Sequence, residues 1–230
     1  MGSSRRAKAA RRKARVHLPI FKEAGNDALD RFQRASERLG DEVGEAARGA
    51  GAQCKAGCHG CCYQLIALDF VEALLIARWL RSRGRTTVEL IDKLIEQAKA
   101  QQGFAREEWF HEAKPCVFLN EQKQCSIHPV RPLACRTYFV TTDPKLCHPD
   151  AGLQTVTTFT ASIDAHFRLV GVARRGVFTG AHAESIAMGP LAPTLLAAID
   201  FLDRGLVALD QSARTVAGDL PPWMKATASK

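Results

Sequence analysis

Cys54-Lys55-Ala56-Gly57-Cys58-His59-Gly60-Cys61-Cys62 packs four of the chain's eight cysteines into one short stretch, with the pattern C-x3-C-x2-C-C. The other four, Cys116, Cys125, Cys135 and Cys147, lie in a proline-rich stretch with no clean hydrophobic period. Thiolates bind soft and borderline metals tightly. Close spacing lets several sulfurs of one loop converge on a centre, and the distant cysteines close the loop over it. Eight thiols split four and four in a loop-rich region therefore point to metal rather than to disulfides. The adjacent pair argues the same way. Neighbouring Cα atoms lie ~3.8 Å apart, below the ~4.4–6.8 Å of an ordinary disulfide. Side chains of neighbours also tend to diverge, so Cys61 and Cys62 suit two irons of one cluster, or two adjoining sites, better than a single ion. Eight thiolates could fill two four-sulfur sites.

Outside the cysteines the chain is ordinary. It has 230 residues, 46% hydrophobic and 24% charged, which matches soluble globular proteins and excludes a wholly disordered or collagen-like chain. No apolar run approaches the ~20 residues that span a bilayer. The net charge of +8 is confined to the start: residues 1–22 hold eight Lys or Arg and no acid, and the remainder balances. Residues 1–22 read as a disordered basic arm with a weak attraction for nucleic acid or anionic lipid. An organellar transit peptide is the other reading of an Arg- and Ala-rich, acid-free start. Val16 to Phe21 is too short and too broken to be the apolar core of an export signal. A cytoplasmic, reducing location follows, and stable disulfides are rare there.

Around the cysteines the pattern is helical. Phe21, Ala28, Leu29, Phe32, Ala35, Leu39, Val43 and Ala46 recur at threes and fours up to Gly49 and Gly51, predicting a long amphipathic helix. Asp69 with Glu72 forms a capping box opening a helix to about Arg81. Thr86 with Glu89 reads as a second capping box, with Val88, Ile91, Leu94, Ile95 and Ala98 as the core face. Residues 153–170 fit both a helix and a strand, and the helical surroundings favour helix. Pro193 in a first turn opens a last helix with Leu195, Leu196, Ile199, Leu202 and Leu206 inside. The expectation is a mostly α fold: a helical body with an irregular cysteine-rich metal-binding lobe, as one helical domain over 23–220 that contains the cysteine-cluster region 54–147, and a frayed tail at 221–230.

The spacing Cys54-x3-Cys58-x2-Cys61 is also that of the radical S-adenosylmethionine motif. Gly60 stands where that motif carries an aromatic residue, and the chain lacks the strand–helix alternation of the barrel that class needs. A different resemblance is carried by Pro115-Cys116-Val117-Phe118-Leu119 and by Cys125-Ser126-Ile127-His128-Pro129-Val130-Arg131-Pro132-Leu133-Ala134-Cys135-Arg136. Joined to the upstream C-x3-C-x2-C-C, these closely resemble the bacterial YkgJ-like, or CxxCxxCC, family over about 54–147. Two departures are His128, where Tyr is common, and three residues rather than two in the first gap. The resemblance implies a domain that chelates zinc or iron through its cysteines. It also implies a distant association with flagellin lysine methylation, by analogy only.

The candidate metal ligands are therefore Cys54, Cys58, Cys61, Cys62, Cys116, Cys125, Cys135 and Cys147. The vicinal pair, the lack of paired C-x2-C knuckles and the reducing location favour an iron–sulfur cluster over zinc. Four thiolates on zinc, or on an oxidised four-iron cluster, leave a charge of about −2. Arg131 and Arg136 beside the sulfurs would offset it and tune the potential, or Arg131 merely braces the loop through backbone carbonyls. His59, between Cys58 and Cys61, could ligate, but it reads rather as a solvent-facing loop histidine, and His111 and His148 read the same way. The leading function is metal binding, in electron transfer or metal handling. The alternatives are a metal-dependent oxidoreductase or methyltransferase-like enzyme, and a zinc-stabilised module whose arm binds nucleic acid. An enzyme requires a pocket with titratable groups at the metal; a structural module requires closed sites and none.

Overall fold

The computed structural model describes residues 20–21, 25–55, 57–102, 106–152, 163–179 and 188–204. The fold is mostly α, and its centre is helix α2, Phe70–Ser82, which follows α1, Gly25–Gly49. Along α2 every residue from Phe70 to Ala77 is buried, as is Leu80. A helix buried on all sides is a core helix rather than an amphipathic surface one. The predicted capping box opens it: Asp69 Oδ1 accepts from the Val71 N–H at 3.0 Å, and the Asp69 N–H donates to Glu72 Oε2 at 2.8 Å.

Helices α3 (Val88–Gln101), α4 (Arg106–His111) and α5 (Leu133–Arg136) follow, then α6 (Ile163–Val177) and α7 (Leu191–Arg204). Helix α7 packs on α2 and α3, and α6 packs on α1 and α2. Two minimal antiparallel pairs tie distant segments. Strand β1 (Ile20–Phe21) pairs with β3 (Phe178–Thr179), and β2 (Ala67–Leu68) pairs with β4 (Gly189–Pro190). Ile20–Phe21 belong to the stretch read as a disordered arm, so regular structure begins before the expected boundary at Lys22. The rest of the arm, residues 1–19 and 22, and the tail 221–230 lie outside the described residues.

Other expectations need correction. The cap of α3 is Thr87, whose hydroxyl accepts from the Leu90 N–H at 3.3 Å; Thr86 Oγ1 is buried without a partner. Of the α3 face only Leu94 is fully buried, and Val88 and Ile95 are exposed, because α7 covers one side of the helix only. The ambiguous segment is helical from Ile163, with Val170, Ala173 and Val177 buried but Phe167 exposed; residues 153–162 lie outside the described residues. Leu195 and Ile199 are buried in α7 as expected, and Leu206 lies outside the described residues.

The end of α1 delivers the chain to the cysteines. The Ala52 N–H donates to the Ala47 carbonyl at 2.8 Å and the Gly51 N–H to that of Arg48 at 3.0 Å, a Schellman closure. It needs the left-handed backbone of Gly51, φ +84°. The buried stripe of α1 runs through Ser36 and Gly44 to Ala47, not through Ala46 as the periodicity suggested. Small residues on that side admit the lobe: a Cβ on Gly40 would lie 3.3 Å from Arg136 Cβ, and one on Gly44 3.2 Å from the Phe139 ring.

Candidate metal centre

The lobe has little regular structure, so its backbone groups bond locally. Four 3-10 turns, Gly60–Tyr63, His128–Val130, Pro144–Cys147 and Pro149–Ala151, carry most of it, with α5 between them. One backbone bond joins the two cysteine stretches directly: the Cys116 N–H donates to the Cys62 carbonyl at 2.7 Å. The turn holding Cys61 and Cys62 packs against the turn ending in Cys147. Gly60 makes that possible. Its missing Cβ would lie 2.8 Å from Cys147 Cβ and 2.9 Å from the Cys147 carbonyl carbon, so no side chain fits. The same contact excludes an aromatic residue at this position.

All eight cysteines are free thiols; Cys147 is buried and the others are half-buried. The two stretches of sequence interleave. Cys61 is the electrostatic neighbour of Cys116, Cys125 and Cys135, and also of Cys58 and Cys147. One subset is thus Cys61, Cys116, Cys125 and Cys135. The other is Cys54, Cys58 and Cys147, with Cys61 between them. The Cys61 thiol is hydrogen-bonded to Cys62, so these neighbouring side chains converge instead of diverging as expected, and Cys62 meets the set through Cys61. Among the described residues no three thiol, imidazole or carboxylate groups stand together at ligating distance, so the sulfurs are gathered without a closed coordination sphere.

Charge explains the protonation state. Burial, then the neighbouring sulfurs, push the Cys116 thiol up to about 12 and the Cys147 thiol up to about 11. Burial raises Cys58, Cys125 and Cys135 as well. The hydrogen bond to Cys62, then burial, raises Cys61. Near neutral pH these groups are thiols, and a bound cation would displace their protons. Backbone donors are already in place for thiolates. Val140 N–H lies 3.4 Å from Cys54 Sγ, and the N–H groups of Gly60, Phe118 and Ile127 donate to Cys58, Cys116 and Cys125. The donor set fits zinc or an iron–sulfur cluster equally in kind.

The backbone bracing considered for Arg131 is made by Arg136 instead. Arg136, buried, donates from Nε to the Arg131 carbonyl at 3.2 Å and from Nη2 to the Pro129 carbonyl, so it braces the loop. Arg131 is the charged neighbour of Cys61, Cys125 and Cys135, and its Nε is buried without a partner. A cleft of about 640 Å³ opens over the sulfurs. Cys54, Cys58, Cys61, Cys135 and Cys147 line it together with Arg131, Arg136 and His128, while Asp41, Glu45 and Arg48 of α1 form its opposite wall. Sequence reasoning missed Tyr138. It lines the cleft, accepts from Gln64 Nε2 at 3.1 Å and hydrogen-bonds the Cys147 sulfur. His111 is exposed as expected. His59 and His148 are instead half-buried, packed around Tyr63.

The lobe is held to the helical body by a carboxylate. Glu72, completely enclosed within the core, accepts the Leu133 N–H on Oε1 at 2.8 Å while Oε2 completes the capping box. Its neighbour Asp69 is buried too and paired with Arg174, whose Nε lies 2.8 Å from Asp69 Oδ2. Burial pushes Glu72 up to about 7, and it also raises Asp69 despite Arg174.

A family model described as "CxxCxxCC: Putative zinc- or iron-chelating domain" matches residues 53–156. No curated protein and no solved structure matches the chain. Among the described residues no helix is long and apolar enough to cross a membrane.

Proposed function

We propose that Cys54, Cys58, Cys61, Cys62, Cys116, Cys125, Cys135 and Cys147 bind a metal as an iron–sulfur centre, a reading supported by the match of residues 53–156 to a family model of zinc- or iron-chelating domains. The observation that carries this reading is the interleaving of the two cysteine stretches around Cys61. A polynuclear centre uses sulfurs on several sides and, on binding, would replace the Cys61–Cys62 hydrogen bond with a separate partner for each thiolate. When bound, such a centre supplies one-electron chemistry. The chain supplies the rest. The Val140, Gly60, Phe118 and Ile127 N–H groups stabilise thiolate, Arg131 offsets negative charge beside Cys61, Cys125 and Cys135, and Arg136 and Glu72 hold the loop in register. The role is electron transfer or metal handling within the cytoplasm.

The cleft supports a second reading, a metal-dependent enzyme. An open cleft of about 640 Å³ lined by thiols, His128, Tyr138 and six acidic or basic residues is more than a structural zinc module requires. The arm as a nucleic-acid contact has no support among the described residues.

Anaerobic purification with metal analysis and a visible spectrum tests the leading reading. Brown protein with a broad band near about 400 nm that bleaches on reduction supports it. Colourless protein with stoichiometric zinc after iron-replete expression replaces the iron–sulfur centre by zinc.

A further inference from the structure

Two Cys-His dipeptides, Cys58-His59 and Cys147-His148, come from opposite ends of the lobe and are brought side by side by the Gly60–Cys147 contact. Their imidazoles form a group of their own. The ring centres of His59 and His148 lie 5.5 Å apart, and Tyr63 sits 4.6 Å from His148 and fixes its ring. Two imidazoles on one tetrahedral ion, with metal–nitrogen bonds of ~2.0–2.1 Å, place their ring centres about 5 Å apart.

Each ring is also held at its inner nitrogen. His59 Nδ1 lies 3.2 Å from the Gly57 carbonyl, and His148 Nδ1 lies 3.2 Å from Asp150 Oδ2. A carbonyl or carboxylate on Nδ1 orients a metal-ligating histidine and leaves Nε2 as the ligand atom. The Asp150 N–H donates to His148 Nδ1 at 3.3 Å, capping the turn. A metal on Nε2 requires the other tautomer, with the proton moved to Nδ1, and the Asp150 carboxylate is placed to accept it there. Cys58 and Cys147 line the thiol cleft and neither His59 nor His148 does, so the histidines can serve a different centre.

We propose that His59 and His148 form a second, nitrogen-donor site for a divalent transition-metal ion, with Asp150 positioning His148 and with water completing the coordination. The site is separate from the thiol centre and independent of which metal that centre holds. Its place, one residue from Cys58 and from Cys147, suits an acquisition site from which an incoming ion passes to sulfur.

The test uses the full chain, uniformly labelled with 15N, kept anaerobic and titrated with Zn2+ alone. Long-range proton–nitrogen spectra follow each imidazole nitrogen, and single variants assign the rings. The expected result is that Nε2 of His59 and of His148 shift together with one equivalent of zinc. His59→Gln or His148→Gln should each weaken that equivalent by at least about tenfold, and Asp150→Asn by about tenfold with both Nε2 signals still responding. Cys135→Ser should leave the imidazole response in place, which separates this site from the thiol centre. Zinc that shifts neither ring, or only one of them, overturns the proposal. So does an unchanged zinc affinity and stoichiometry in both histidine variants. The wild-type spectra decide the matter alone if a variant does not fold.

Discussion

Replacing Glu72 by Gln measures how the lobe is joined to the helical body. In the wild type each carboxylate oxygen accepts one backbone N–H, from Asp69 and from Leu133, both at 2.8 Å. Gln offers one carbonyl oxygen, so one of the two buried N–H groups faces an amide NH2, at a cost of about 1–3 kcal/mol. The variant also loses a titration. Glu72 sits at about 7 in the folded protein against 4.5 for an ordinary glutamate. The folded state therefore holds this proton more tightly than the unfolded chain does. Stability falls as pH rises from about 4.5 to about 7, by about 3 kcal/mol at ~1.4 kcal/mol per unit. Asp69 contributes with the same sign but is present in both proteins. The wild type should thus melt above Glu72→Gln at pH 5, and the gap should close by roughly 6–12 °C by pH 8, at about 2–4 °C per kcal/mol for a chain of this size. Thermal unfolding followed by circular dichroism, on both proteins across that range, reads the gap, and thiol titrations common to both cancel. A gap that stays constant or widens with pH would refute the reasoning, because Glu72 would then be ionised at little cost.

The remaining predictions concern the lobe and the arm. Cys135→Ser should lose most of the bound metal and lower the melting temperature, since metal affinity here is also folding energy; metal analysis beside a melting curve checks both. Gly60→Ala forces a methyl group to 2.8 Å from Cys147 Cβ and should cost about 1–3 kcal/mol together with part of the metal. Arg131→Met should keep the metal but lower its reduction potential by on the order of tens of millivolts, because a positive charge beside three sulfurs is removed; an unchanged potential means that the guanidinium does not face the centre. Removing residues 1–19 should change stability by less than about 0.5 kcal/mol, and a larger loss would make the arm a packed element.

What could be read from the sequence depended on how local the signal was. The Asp69–Glu72 capping box is a three-residue pattern and was legible; that Glu72 also holds Leu133 was not, because that partner lies far along the chain. The thiols as a group were legible from residue type and spacing. Their division into subsets was not, because it follows from the contact of the Gly60–Tyr63 and Pro144–Cys147 turns. Tyr138 gave no signal, since its role depends on Cys147 and Gln64 arriving beside it. The two-residue strands are too short for any alternation to announce them. On α3, periodicity named an apolar face but could not say how much of it α7 would cover, so Val88 and Ile95 were assigned to a core they do not reach.

The interleaving of the two cysteine stretches has a consequence for biosynthesis. As the chain leaves the ribosome, Cys54, Cys58, Cys61 and Cys62 emerge first, and none of the subsets they join is complete until Cys135 or Cys147 follows. Bringing these ends together costs loop-closure entropy, and long-range contacts of this kind form late. The early thiols therefore wait, uncommitted, while the body that positions them is still being made. A nascent chain built this way defers its commitment to metal until almost the whole domain is present.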